Sequence, residues 1–398
     1  MKRILFIAIP EKGHINPMIG PAVWLQRMGH EVRFHAACDI SAQLHAAGLR
    51  PLDAAAAQPP PADLNRGAFF AEKVRDAAWL REWIQRLLIE EAPAQVPGLQ
   101  QAMEDFQPHV VVTDPMIYAA AIAAHRLRIP WVALSNSLNP VLYHEIASDL
   151  LDTVKALSSA RQALFDGEGM SMAFSGCDML SPWLTIAFTT QEFIGRAVPG
   201  VEMVGPSLPP DLRGDEADFP WDKLKADQPV IYMSFGSQIY HQPALFWKVA
   251  EATQGMGVQL VLSVNELLGS NELAGLPEHV LACRYAPQLA LLPRASVFIT
   301  HGGANSVMEA LRFGVPLLLS PVCNDQFHQA WYVERSGTGR VLDLSTASVP
   351  EVKAALRNLL ENREIAKSTA RVSASYAVDG ARRAAELVEQ LALKGDTA

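Results

Sequence analysis

The sequence predicts an α/β protein made of two doubly wound, Rossmann-like domains that face a central cleft. Three observations predict it. Apolar runs of strand length alternate with helical patterns along almost the whole chain. Several of those runs are apolar at every position, as strands buried on both faces of a parallel sheet must be. The alternation is interrupted near the middle by a segment rich in proline and acid. With 398 residues, 49% of them hydrophobic, the chain can bury a core in each of its domains and is not disordered in the main.

Each element has its own signal. Ile4–Ile9 is a continuous apolar run, and Pro17–Met28 reads as a helix ending at Gly29. Glu31–His35 is a second short strand. A break of alanine and proline follows over Pro51–Pro61. Phe69–Glu90 has helical periodicity, with Trp79, Trp83 and Leu87 recurring at three- and four-residue steps. His109–Thr113, Ile117–Leu127 and Trp131–Leu134 read as strand, helix and strand, so the series is βαβ and its sheet parallel. From Val204 to Gln228, prolines and glycines mix with Asp211, Asp215, Glu216, Asp218 and Asp222, the composition of a linker. The alternation then restarts. Strands are predicted at Val230–Ser234, Gln259–Ser263, Val280–Tyr285, Val297–Thr300 and Pro316–Leu319, with helices from Pro243, over Ala304–Arg312 and beyond Val349.

Composition excludes several classes. The net charge is -9, from 33 Lys+Arg against 42 Asp+Glu. No general basic face is expected, hence no nucleic-acid partner and no anionic-membrane partner. Cys38, Cys177, Cys283 and Cys323 are widely separated, so neither a redox pair nor a zinc knuckle is formed and a reduced, cytoplasmic protein is expected. No run is long and apolar enough to span a bilayer or to act as a signal segment.

Ligands of doubly wound sheets bind beyond the carboxyl ends of the strands. In the second half, Phe298-Ile299-Thr300-His301-Gly302-Gly303-Ala304-Asn305-Ser306 carries a strand through two glycines into a helix. The helix start offers free N–H groups and a positive dipole end, which suits a phosphate. Asn305 and Ser306 add donors in the first turn, and His301 ends the strand. Glu309 follows Asn305 by one helical turn, where a carboxylate can accept from both hydroxyls of a ribose. Tyr285 ends another strand and could stack on a base. Asp325 and Gln326 open the next helix and could read sugar hydroxyls. Each has a plainer reading: an ordinary strand-to-helix turn, a solvated glutamate, a packed tyrosine, a helix cap.

In the first half, Pro10-Glu11-Lys12-Gly13-His14-Ile15-Asn16-Pro17 follows the first strand without a GxGxxG, so no dinucleotide is expected there. His14 can take a proton from a hydroxyl near neutral pH. A lone histidine is more often structural. Asp114 ends the buried strand Val110–Thr113, where an unpaired carboxylate is costly. If it faces His14, it fixes the imidazole tautomer and stabilises the imidazolium.

The stretch Tyr285–Gln329 resembles the nucleotide-sugar signature of the family-1, UDP-dependent glycosyltransferases of the GT-B fold, in their bacterial natural-product and macrolide-type branch. Pro287-Gln288, His301-Gly302-Gly303, Asn305-Ser306, Glu309, Gly314-Val315-Pro316, Pro321 and Asp325-Gln326 carry the resemblance in order and in register. It implies that Tyr285 and the backbone of Ala286 hold uracil, and that Gln288 and Glu309 hold the ribose. His301, Gly303, Asn305 and Ser306 would hold the diphosphate, and Asp325 with Gln326 the transferred sugar. Val230–Ser237 resembles the first strand and glycine loop of that domain, with Gly236 and Ser237 near the phosphates. Gly13-His14 and Asp114 match the family's base and orienting carboxylate. Tyr285 stands where plant members carry Trp, and the spacing from Gln288 to His301 is slightly shorter than theirs.

The implied division is an acceptor-binding domain over 1–205, a nucleotide-sugar domain over 206–380, and a C-terminal helix over 381–398 packing back on the first. The implied reaction is an inverting transfer of a hexose, glucose foremost, from UDP to a hydroxyl of a small hydrophobic molecule. No Asp-x-Asp occurs, so no metal is expected, and no cofactor beyond the UDP-sugar co-substrate. Phe69, Phe70, Trp79, Trp83, Asn136 and His144 are candidate acceptor walls; Trp79 and Trp83 also read as plain helix core. Rival readings are a sugar-nucleotide epimerase of the same architecture, a dTDP-sugar transferase and a catalytically silent partner protein.

Overall fold

A computed structural model of the chain describes residues 1–52, 73, 76–211, 213, 218–236, 243–265 and 275–394. The first half supplies β1 (Arg3–Ile7), β2 (Glu31–His35), β3 (Val110–Thr113) and β4 (Trp131–Ser135). It continues with a two-stranded hairpin, β5 (Ala173–Ser175) and β6 (Asp178–Leu180), then β7 (Leu184–Ala187) and β8 (Glu202–Met203). The second half supplies β9 (Val230–Ser234), β10 (Gln259–Ser263), β11 (Val280–Cys283), β12 (Ala295–Thr300), β13 (Leu317–Leu319) and β14 (Gly339–Val341).

Two six-stranded parallel sheets result, ordered β2-β1-β3-β4-β7-β8 and β11-β10-β9-β12-β13-β14. The first strand of each half lies inside its sheet, with the chain winding away in both directions. The winding reverses between β1 and β3 and between β9 and β12, and a crevice opens at such a point. The continuous apolar runs behave as read: β3, β4, β9 and β10 are buried at every residue. One apolar cluster passes through both halves, from Phe6 and Phe34 to Tyr232 and Phe298.

The first helix departs from its expected start. It runs Lys12–Arg27 with Pro17 and Pro21 inside it, not at its first turn. A proline in a helix leaves the carbonyl four residues back without its usual partner. Both such carbonyls are used by the other part of the chain: Gly13 O accepts from Asn305 Nδ2 at 2.9 Å and Pro17 O from Ser207 Oγ at 2.6 Å. The prolines are therefore tolerated because the second half and its linker satisfy what they leave open.

Two further elements differ from the sequence reading. Of the helix expected over 69–90, residues 69–72 and 74–75 lie outside the described residues; the rest holds a helix Ala77–Gln85, capped by Asp76 accepting from Ala78 N and Trp79 N, and then a π-helical turn Arg86–Glu90. A long helix, Ala92–Phe106, carries Pro93 in its first turn and Pro97 inside, which masked its periodicity. The C-terminal helix Gly380–Lys394 lies against the first half, where His30 Nε2 pairs with Glu389 Oε1 at 2.8 Å. Across the cleft, Tyr332 OH donates to Val141 O at 2.6 Å and Ser148 Oγ meets His328 Nε2 at 2.8 Å. Among the described residues, no helix is long and apolar enough to cross a membrane.

Candidate active site

Both reversal points carry polar residues. At the first, His14 lies in the opening turn of the helix after β1, and Asp114 stands one residue beyond β3. Because β1 and β3 pair side by side, the two side chains meet: His14 Nδ1 is 2.5 Å from Asp114 Oδ2. Asp114 is 1% exposed, and its other oxygen accepts from Met116 N at 2.9 Å. The imidazole keeps one edge toward the cleft, at 24% exposure. Burial pushes its pKa down, but the charge and hydrogen bond of Asp114, with Glu11 and with Asp325 from the other half, hold it up at about 9.

Asn136, one residue past β4, donates from Nδ2 to the same Asp114 Oδ2 at 2.6 Å. Deeper lies Asp178 on β6, which accepts from Ser135 Oγ at 2.5 Å and Asn139 Nδ2 at 2.7 Å. Burial raises its carboxyl to about 7 against those two bonds, with the charges of Asp114 and Asp325 adding to the rise.

At the second reversal point, Gly302 adopts a φ of +88° and Gly303 leads into the helix Ala304–Arg312, whose first N–H groups have no intrahelical partner. His301 stands one residue beyond β12, beside Thr300, and burial lowers its pKa to about 4. It is a neutral donor at physiological pH, not a cation. Two glycine loops clasp it. A Cβ at Gly303 would lie 2.7 Å from His301 Nε2, and one at Gly236, itself at φ +77°, 2.9 Å from Cε1. Gly303→Ala is expected to displace this imidazole and to lower stability by about 1–3 kcal/mol, as overpacking does, read as a lower unfolding midpoint.

One turn along the helix, Glu309 is 1% exposed, and each of its oxygens accepts one hydrogen bond. Its Oε1 accepts from an Arg213 guanidinium nitrogen at 2.5 Å and its Oε2 from Gln288 Nε2 at 2.6 Å. Tyr232 OH donates to Gln288 Oε1 at 3.3 Å. The two expected ribose readers are thus one network. Arg213 was not foreseen; the signal available was an arginine within the acidic, proline-rich linker. Each carboxylate oxygen has two lone pairs, so each keeps one for a further hydroxyl.

The remaining residues divide. Tyr285 lies under Lys12 of the first half, with Nζ 4.6 Å from the ring centroid. Ala286 N donates to Ser263 Oγ at 3.3 Å, and Asn265 Nδ2 braces Gly236 O at 2.7 Å. Ser306 is buried in the first turn; Asn305 spends its amide on Gly13 O. Asp325 faces His14, close enough for each to shift the other's proton affinity. Gln326 turns inward, its Oε1 accepting from Val322 N at 2.8 Å and Cys323 N at 3.2 Å, so its carboxamide braces its own loop. Trp79 and Trp83 stack on one another at 5.9 Å, and Trp83 packs on the core. His144 is 88% exposed and pairs with Glu145. Phe69, Phe70 and Ser237 lie outside the described residues.

Residues 209–377 match the UDP-glucoronosyl and UDP-glucosyl transferase family. The chain is 26% identical to the uncharacterized UDP-glucosyltransferase YojK of Bacillus subtilis over 98% of its length and 97% of that protein's. It is 25% identical to the oleandomycin glycosyltransferase of Streptomyces antibioticus, over 97% and 90%. Among solved structures, the glycosyltransferase of kitacinnamycin superposes with a TM-score of 0.77 at 23% identity, over 98% and 99% of the two chains. Two doubly wound halves, a cleft lined from both and the match over the second half agree: the chain has the GT-B fold of glycosyltransferases, and its residues 209–377 match the UDP-glucoronosyl and UDP-glucosyl transferase family.

Proposed function

We propose that the protein moves a hexose, glucose foremost, from UDP to a hydroxyl of a small hydrophobic acceptor, a phenolic, polyketide or isoprenoid natural product, with inversion and without a metal. The observation that carries this reading is the His14–Asp114 pair, which presents an imidazole to a cleft whose far wall is the glycine-led helix start and Asp325. Asp114 takes Nδ1–H, which leaves Nε2 to receive the acceptor's proton. The freed oxygen attacks the anomeric carbon as the bond to the diphosphate breaks on the opposite side. Charge grows on the departing phosphate, and the N–H groups of residues 304–306 with neutral His301 offer fixed donors to it. Glu309, held by Arg213 and Gln288, offers one lone pair on each oxygen to the two ribose hydroxyls. A deoxyribose could use only one of them, which favours UDP over dTDP. The relatives named for natural products support the acceptor class.

The test is incubation with UDP-glucose and dTDP-glucose, each with a panel of phenols, polyketides and isoprenoid alcohols, followed by mass spectrometry and NMR of the product. The expected result is a β-glucoside made faster from the UDP donor. An α-glucoside would refute the single displacement. A new sugar nucleotide formed from UDP-glucose alone would replace transfer by epimerisation.

A further inference from the structure

We propose that Asn136 is a positioning residue for the reaction, acting on the His14 imidazole through the carboxylate of Asp114. This rests on the reading of His14 as the base. Asn136 follows β4, the neighbour of β3, so it stands beside Asp114 at the same sheet edge. Its Nδ2 is 2.6 Å from Asp114 Oδ2 and 3.2 Å from His14 Nδ1. The chemistry fixes which way the amide points. Turned over, its oxygen would face a carboxylate oxygen at hydrogen-bond distance, with no proton between them. Its own Oδ1 is buried and has no hydrogen-bond partner among the described residues.

One carboxylate oxygen therefore receives two N–H donors, imidazole and amide, while Met116 N holds the other oxygen. Two effects follow. The carboxylate is fixed from a third side, so Nδ1–H has one direction to point and Nε2 keeps its aim at the cleft. The amide also draws charge from the oxygen that stabilises the imidazolium. Without it, Asp114 would bind the imidazole's proton more tightly and the neutral base would be scarcer. The other charges around the ring are Glu11 and Lys12 beside it in the chain, Asp325 across the cleft, and Asp178 behind Asp114. None of these needs to move when the amide is removed.

The test compares the wild type, Asn136→Ala, Asn136→Ser and His14→Ala by kcat/KM against pH, by acceptor KM, and by UDP affinity in calorimetry. Retained UDP affinity reports a folded second half, and the serine variant carries the test if alanine does not fold. The expected result for either Asn136 variant is an acid limb displaced upward by about one pH unit, as loss of a hydrogen bond to a charged group gives. The neutral-pH rate then falls roughly tenfold and returns in alkali, with acceptor KM nearly unchanged. A limb that stays in place, or a loss equal at every pH with a raised acceptor KM, would overturn the inference and leave Asn136 as an acceptor wall. An active His14→Ala enzyme would instead remove the base, and this inference with it.

Discussion

Replacing His14 by alanine is expected to lower kcat by about 10²–10⁴-fold, the usual contribution of a general base, while UDP binds as before. The separation follows from the architecture. The imidazole belongs to the first half, and the residues assigned to the nucleotide belong to the second. An alanine variant of undiminished rate would remove the base assignment. The pH dependence has a definite sign. With His14 held up at about 9 by Asp114 against its own burial, the ring is mostly protonated at neutral pH and must lose that proton to act. The expected kcat/KM therefore climbs with pH and levels near 9, and His14→Ala loses the climb. Stability runs the other way. A folded pKa of about 9 above the ordinary 6.5 stabilises the fold fully below pH 6.5, and that contribution disappears as pH rises through about 9. Unfolding midpoints measured from neutral to alkaline pH should fall more steeply for the wild type than for His14→Ala.

What the sequence disclosed was set by what is local. Strands buried on both faces announce themselves as unbroken apolar runs, and Val230–Ser234 and Gln259–Ser263 are found with the expected bounds. The glycine pair and the helix after it were legible because turn, cap and dipole lie within a few residues of each other. His14 and Asp114 could each be placed at a strand end, but their contact depends on β1 pairing with β3 across 100 residues. Resemblance supplied that adjacency; periodicity could not. The start of the first helix was misplaced because Pro17 imitates a first-turn proline. Its position inside the helix is permitted by Asn305, a residue of the other half. Side-chain direction was the least legible property. Asn136 was assigned to the acceptor and points at Asp114, and Gln326 was assigned to the sugar and folds onto its own loop. Nothing in a neighbouring residue reveals either choice.

Arg213 shows the same limit with a larger energy attached. It lies 96 residues from Glu309, in a segment whose composition reads as solvent-exposed linker, yet the pair is nearly sealed from water, at 5% and 1% exposure. A buried pair is worth little over an apolar replacement, but removing one partner strands the other charge and costs about 3–5 kcal/mol. Arg213→Met is therefore expected to destabilise the protein by that amount. Glu309→Ala should do so as well, and it should also weaken UDP binding, since it takes away the acceptors offered to the ribose. The double variant Arg213→Met with Glu309→Gln should recover much of the stability lost by Arg213→Met alone, because glutamine leaves no uncompensated charge and can still accept from Gln288 Nε2. Denaturant unfolding gives the stability terms and calorimetry with UDP the affinities. Additive losses in the double variant would show that the two charges do not compensate each other. Unchanged UDP affinity in Glu309→Ala would take the ribose role from the carboxylate. If both expectations hold, the linker is a structural part of the nucleotide site: its arginine pairs with the buried carboxylate of Glu309 and leaves a lone pair on each oxygen for the sugar.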